Sequence, residues 1–197
     1  MQVFNFSCAP VFIGLAGLGF CNFLYKPVLA GKESINFGVT ADSKSQQDSL
    51  IVTGAALQLI SSQFSFTEGP AVDKKGNIFF TDQPNDKIWK YGADGKLSVF
   101  LDKTGRSNGL YFDHKGNLLA CADENNELWQ ISPKKKIIVL IKDINGKKLN
   151  GPNDLWVHPN GAIYFTDPYY QRPYWTRTSP GIKGEKVYFF QKARANR

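Results

Sequence analysis

Along most of the chain the apolar residues come in short runs, each closed by Gly, Asp, Asn or Lys. The run "GPAV" is followed by the turn "DKKG", then by "NIFFTD", a polar turn, "KIWKY", the turn "ADGK" and "LSVFL". Runs this short, rich in Phe, Ile, Val, Trp and Tyr and bounded by turn residues, predict antiparallel β-strands. No stretch carries apolar residues at helical spacing.

The pattern then repeats. Aligning the turn glycines brings Gly76 of "DKKGNIFFTD", Gly116 of "DHKGNLLACAD" and Gly161 of "HPNGAIYFTD" into register, 40 and then 45 residues apart. Four short strands per unit at that period predict the blades of a β-propeller, an all-β fold with about three blades in residues 61–197. The third blade is thin at its end: "KVYFFQ" reads as its third strand, but "KARANR" lacks the alternation for a fourth. Half a propeller leaves uncovered faces that invite aggregation, so the expectation is a truncated copy of a longer protein.

The same register selects chemistry. Eight residues before each glycine stand Glu68, Asn108 and Asn153, one position in three successive blades. At the start of the innermost strand these side chains are expected to converge on the mouth of the central channel. One carboxylate and neutral amide oxygens suit a hard divalent cation better than a ring of like charges does. Fourteen residues further on are Asp82, Ala122 and Asp167, which close the second strand. The two acids are expected near the same end of the blades, supporting the site from outside.

The segments "FTEGPAVDKKGNIFFTD", "SNGLYFDHKGNLL" and "LNGPNDLWVHPNGAIYFTDPYY" resemble the first three blades of the gluconolactonase, regucalcin and senescence marker protein family of six-bladed propellers. The resemblance covers about residues 60 to 191. It implies a calcium- or zinc-dependent hydrolase of a sugar-type lactone. It implies Glu68 and Asn153 as metal ligands, with Ca2+ the leading ion and Zn2+ or Mg2+ as alternatives, and Asn108 in the substrate pocket. The family's remaining ligands and its catalytic acid or base belong to later blades, beyond residue 197. Three blades alone are therefore expected to bind metal weakly and to hydrolyse lactones negligibly.

The connection "DPYYQRPYWTRTSPG", residues 167 to 181, holds four aromatics and two arginines. It is expected to cap the substrate. Asp167, Tyr169 and Arg172 are the candidate contacts, with Tyr and Trp stacking on a sugar and Arg172 or Arg177 taking a carboxylate. The noncatalytic alternative, a propeller that binds a sugar or a protein, stays open, because fold does not fix function.

Composition narrows the remaining classes. A content of 42% hydrophobic and 14% aromatic residues supports a packed core. The formal charge of +7 is local: residues 131–150 carry six Lys against one Asp. Lys134, Lys135 and Lys136 form a turn between apolar runs, with no Arg, so a solvated turn is read there and no nucleic-acid partner. The only histidines, His114 and His158, sit in the repeated turns, which leaves a Ser-His-Asp triad without a base. Trp89, Trp129 and Trp156 recur in strand contexts as blade packing.

Residues 8–30 form an apolar stretch with a single charge, Lys26, ending at Ala30. With its Gly and Pro it makes a poor spanning helix. Residues 1–30 are therefore read as an export signal or lipid-linked anchor, and the protein as periplasmic or secreted, with no stable membrane span in the folded part. Residues 31–60 read as a linker and first strand region. Cys8, Cys21 and Cys121 make no disulfide framework.

Overall fold

Each repeated turn is held by the residue that opens it. Asp73 Oδ1 accepts from the backbone N–H groups of Lys75 and Asn77, both at 2.9 Å, and Oδ2 accepts from Asn77 Nδ2 at 2.7 Å. Asp113 holds Lys115 and Asn117 in the same way. In the third turn His158 Nδ1 takes over, accepting from the Asn160 N–H at 3.1 Å.

These turns organise a computed structural model that describes residues 2–5 and 55–191. The chain divides into two units, residues 10–60 and the remainder, and the blades belong to the remainder. Residues 6–30 of the expected export segment and 31–54 of the linker lie outside the described residues.

Strand β1 (Gln2–Asn5) is followed by three blades. The first is β2 (Thr67–Val72), β3 (Ile78–Asp82), β4 (Lys87–Tyr91) and β5 (Leu97–Asp102), hydrogen-bonded in that order. The second is β6 (Ser107–Phe112), β7 (Leu118–Ala122), β8 (Glu127–Ile131) and β9 (Ile137–Ile141), again in sequence order. A short hairpin, β10 (Asp143–Ile144) with β11 (Lys147–Lys148), leads into the third, built from β12 (Leu155–Val157), β13 (Ile163–Asp167) and β14 (Lys186–Phe190).

The third blade does have a fourth strand, and it comes from the other end of the chain. β1 pairs antiparallel with β14, Gln2 opposite Phe189 and Asn5 opposite Lys186. All pairing within the blades is antiparallel, and the described residues contain no α-helix, only a single 3-10 turn at Gln83–Asn85. Among the described residues, no helix is long and apolar enough to cross a membrane.

Packing explains the burial pattern of each second strand. β7 is buried at all five positions because it is covered on both faces. Leu118 and Ala120 pack with Ala71, Phe79 and Ile88 of the first blade, while Leu119 and Cys121 pack with Leu155, Ile163, Phe165 and Tyr188 of the third. Phe79 makes edge contacts with Phe100 and Phe112 at 5.0 and 5.1 Å, geometry that aromatic pairs prefer. In β13, by contrast, buried and half-buried positions alternate, as expected of a sheet with one covered face.

Candidate functional site

The starts of β2, β6 and β12, the ends of β3, β7 and β13, and the connections that follow them all lie at one end of the blades. Two inner strands are irregular there: register shifts fall between Glu68 and Ala71 and between Ser107 and Leu110. Bulges of this kind re-aim side chains.

Two glycines let the inner strands close up. A Cβ on Gly69 would lie 2.6 Å from the Asn108 carbonyl oxygen and 2.8 Å from the Leu110 nitrogen. A Cβ on Gly109 would lie 2.8 Å from the Asn153 carbonyl oxygen, and the Gly109 N–H donates to that oxygen at 2.7 Å. Each glycine follows a residue singled out by the repeat, so each blade brings its own polar residue against the next.

The three residues accordingly meet. The buried Asn108 amide lies between Glu68, Asn153 and Arg172, and the orientation that satisfies all three has Nδ2 donating to Glu68 Oε2 and Oδ1 accepting from Asn153 Nδ2 at 2.9 Å and from Arg172 Nη2 at 3.3 Å. This spends both ends of the Asn108 amide on its neighbours. Asn153 gives its nitrogen to Asn108, which turns its own Oδ1 away from that contact. Glu68 is half-buried, and its carboxyl is raised above the ordinary glutamate range, first by burial and then by the nearby Asp154 and Asp123 carboxylates, with Arg172 opposing.

Asp154 is exposed as a residue, but its carboxyl is tucked inward. Oδ1 accepts from the Leu155 N–H at 2.8 Å and occupies the space a Gly109 side chain would need. Burial of that carboxyl raises its pKa as well.

Behind these residues lies a second carboxylate that the repeat alignment passes over. Asp123 is buried, and its Oδ2 accepts from Gln83 Nε2 at 3.0 Å, Arg172 Nε at 2.8 Å and Tyr174 Oη at 2.9 Å. Its Oδ1 is buried without a hydrogen-bond partner. Burial raises its pKa against the opposing pull of Arg172. Gln83 and Asp123 each stand seven residues after their turn glycine, 40 residues apart, so they are equivalent residues of adjacent blades. The third blade has Pro168 at that position, so the register alone does not mark Asp123.

Asp82 and Asp167 are found at the expected end, with a shared function. Asp82 Oδ1 accepts from the N–H groups of Ser65 and Phe66, and Asp167 accepts from those of Asn150 and Gly151, at the same sequence offsets. Each anchors the segment entering its blade. Asp167 has no exposed surface, and burial lifts its pKa to about 6. This geometry corrects the sequence expectation of a substrate contact: both its oxygens are already used by backbone donors.

In the connection after β13, Arg172 reaches the cluster and Tyr169 does not. Tyr169 donates to Gln171 Oε1 and lies against Trp175, with the Arg177 guanidinium 5.1 Å from its ring centre. Among the described residues, no group of three or more His, Cys, Asp and Glu side chains is placed to hold a metal ion. Glu68 and Asn153, both in contact with the Asn108 amide, carry only oxygen and nitrogen as polar side-chain atoms, and their oxygens are of the kind a hard cation takes. A cavity of about 810 Å³ between the first two blades, lined by Phe79, Phe100 and Phe112, opens at the opposite end and contains none of these residues.

A family model described as SMP-30/Gluconolactonase/LRE-like region matches residues 66–193. The chain belongs to this family. The gluconolactonase of Zymomonas mobilis is 28% identical over 138 residues, covering 62% of this chain and 39% of that protein. The solved gluconolactonase of Xanthomonas campestris is 28% identical with a TM-score of 0.64, covering 67% of this chain and 46% of that one. A further solved structure, of a putative gluconolactonase, also 28% identical, has a TM-score of 0.65 and covers 70% and 49%. The chain thus spans less than half the length of these relatives, and its fold is a β-propeller of the gluconolactonase type, with three blades among the described residues.

Proposed function

We propose that the cluster of Glu68, Asn108, Asn153 and Arg172 is one side of a metal-dependent site for hydrolysis of sugar-type lactones. The observation that carries this reading is the Asn108 amide: by holding Glu68 through its nitrogen and Asn153 through its oxygen, it leaves a carboxylate and an amide oxygen as neighbouring hard donors. Glu68 and Asn153 would hold the divalent cation, Ca2+ first among those considered. When bound, such a cation supplies Lewis-acid polarisation of a lactone carbonyl and lowers the pKa of water.

The chain's own residues do the rest of what these three blades can do. Glu68 contributes the charge, and its raised pKa makes cation and proton compete for it as pH falls. Arg172, pinned to Asp123, presents Nη2 to Asn108 and fixes the amide's orientation. Tyr and Trp side chains of the connection after β13 offer faces on which a sugar ring can stack. Calcium takes about six to eight oxygens, so one set of these residues is too few and turnover requires further ligands around the channel.

The test is acid release from gluconolactone with Ca2+ and with chelator, for the wild type and Glu68→Gln, in protein whose ring of ligands is complete. Metal-dependent release that Glu68→Gln abolishes is expected. Release that persists in chelator or in Glu68→Gln would refute the reading. Sugar-acid binding without turnover would favour the noncatalytic alternative.

A further inference from the structure

The second blade departs from the first at its outer edge. The two align with a constant offset of 40 residues, so Asp94, Gly95, Lys96, Ser98 and Asp102 of the first correspond to Lys134, Lys135, Lys136, Ile138 and Lys142 of the second. Residues 94–102 carry two Asp against one Lys, whereas residues 134–142 carry four Lys and no acid. Lys135 even takes up the left-handed backbone of Gly95, with φ +64° against +76°. Between the lysines the strand is apolar: Ile137, Ile138 and Val139 are 37%, 47% and 44% exposed.

The place of this stripe in the blade turns it away from the channel. β9 is the outermost strand and β6, which carries Asn108, the innermost. The first and third blades pack on the two faces of β7, and further blades of a longer ring continue around the channel without covering this edge. Lysines within an edge strand guard it against pairing, but here they stand at the ends of β9 and leave its middle apolar. All four are exposed, and none makes an ion pair among the described residues. Lys147 and Lys148 of the hairpin that follows, also exposed, extend the charge beyond Lys142.

Exposed β-branched side chains between two groups of lysines suit a lipid surface. Ammonium groups attract anionic headgroups, while apolar side chains gain by entering the boundary between headgroups and acyl chains. A nucleic acid has phosphates but no apolar layer, and the stripe has no Arg with which to clamp them. We propose that the outer edge of the second blade docks on anionic membrane, its lysines on lipid phosphates and Ile137, Ile138 and Val139 inserted between them. This goes beyond a solvated lysine turn and is independent of the lactone reading.

Vesicle sedimentation of the full chain tests it, with phosphatidylcholine alone and with about 30% phosphatidylglycerol added. Binding is expected on the anionic vesicles only, weakening as salt rises. Replacing Lys134, Lys135 and Lys136 together by Gln should cost about 100-fold in affinity, at roughly fivefold per lysine near a charged surface. The same replacement at Lys75, Lys115 and Lys183 removes equal charge elsewhere and should cost less than about fivefold. Ile138→Ser keeps every charge and should weaken binding about fivefold. All seven side chains are exposed, so each variant should keep the wild-type circular dichroism and melting point. Equal binding to neutral vesicles, equal losses from the two lysine triples, or binding indifferent to Ile138→Ser overturns the proposal. Attachment through another segment, the apolar residues 8–30 included, would ignore all three variants and overturn it too. Tighter binding to duplex DNA than to the vesicles would assign the stripe to a nucleic acid instead.

Discussion

Gly69→Ala asks whether the convergence of inner strands depends on a missing side chain. Gly69 has φ +57°, so an Ala there carries left-handed strain of about 1–2 kcal/mol. Its Cβ would also fall 2.6 Å from the Asn108 oxygen and 2.8 Å from both the Gly109 Cα and the Leu110 nitrogen, all backbone atoms of the second blade. Backbone cannot rotate aside, so the blades must separate, at a further cost of about 1–3 kcal/mol. Gly116 is the internal control: its φ is +81°, and nothing lies within 4 Å of its Cβ position. Gly116→Ala therefore incurs strain alone. Urea unfolding of both variants should show Gly69→Ala less stable than Gly116→Ala by about 1–3 kcal/mol, a melting difference of roughly 2–4 °C per kcal/mol for a domain of this size. Equal losses would show that the close approach at Gly69 does not hold the blades, and the account of how Glu68 reaches Asn108 would fail.

Arg172→Ala removes one of three donors to the buried Asp123 carboxylate and the contact to Asn108. A loss of about 2–3 kcal/mol is expected, together with faster proteolysis within residues 168–185, because a buried charge loses its counter-ion; unchanged cleavage would argue against the tether. Asp167, lifted from 3.8 to about 6 in the folded protein, favours folding in its protonated form. Its contribution is fully present below about pH 3.8 and is lost as pH rises through about 6, with a ceiling of roughly 3 kcal/mol. Asp167→Asn should flatten the gain in stability seen on going from pH 7 to pH 5, measured by urea midpoints, and a slope identical to the wild type would refute the assignment.

Much of the fold was legible because blade repeats write their turns in sequence. The Gly76, Gly116 and Gly161 register placed Glu68, Asn108 and Asn153 at one position, and the structure brings those side chains together. Two features were not legible from the register. Asp123 sits where one blade has Gln and the third has Pro168, so no repeat marks it; its importance arises from the distant residues Arg172 and Tyr174 folding over it. The sequence offers no outer strand for the third blade, because "KARANR" lacks the alternation, whereas the pairing partner of β14 is at the N-terminus, a long-range choice that local alternation does not encode. Asp167 looked like a pocket residue because it precedes an aromatic connection, but its environment is set by the backbone N–H groups of Asn150 and Gly151.

The central claim is that Glu68 supplies the charge at a cation site built from successive blades. Calorimetric titration of Ca2+ into the full chain and into Glu68→Gln at neutral pH tests it most directly, since the substitution keeps the side chain's shape and removes only its charge. The account predicts weak binding, measurable at high Ca2+, that Glu68→Gln abolishes while the melting temperature in chelator stays the same; binding of equal strength in both proteins would place the cation elsewhere and contradict it.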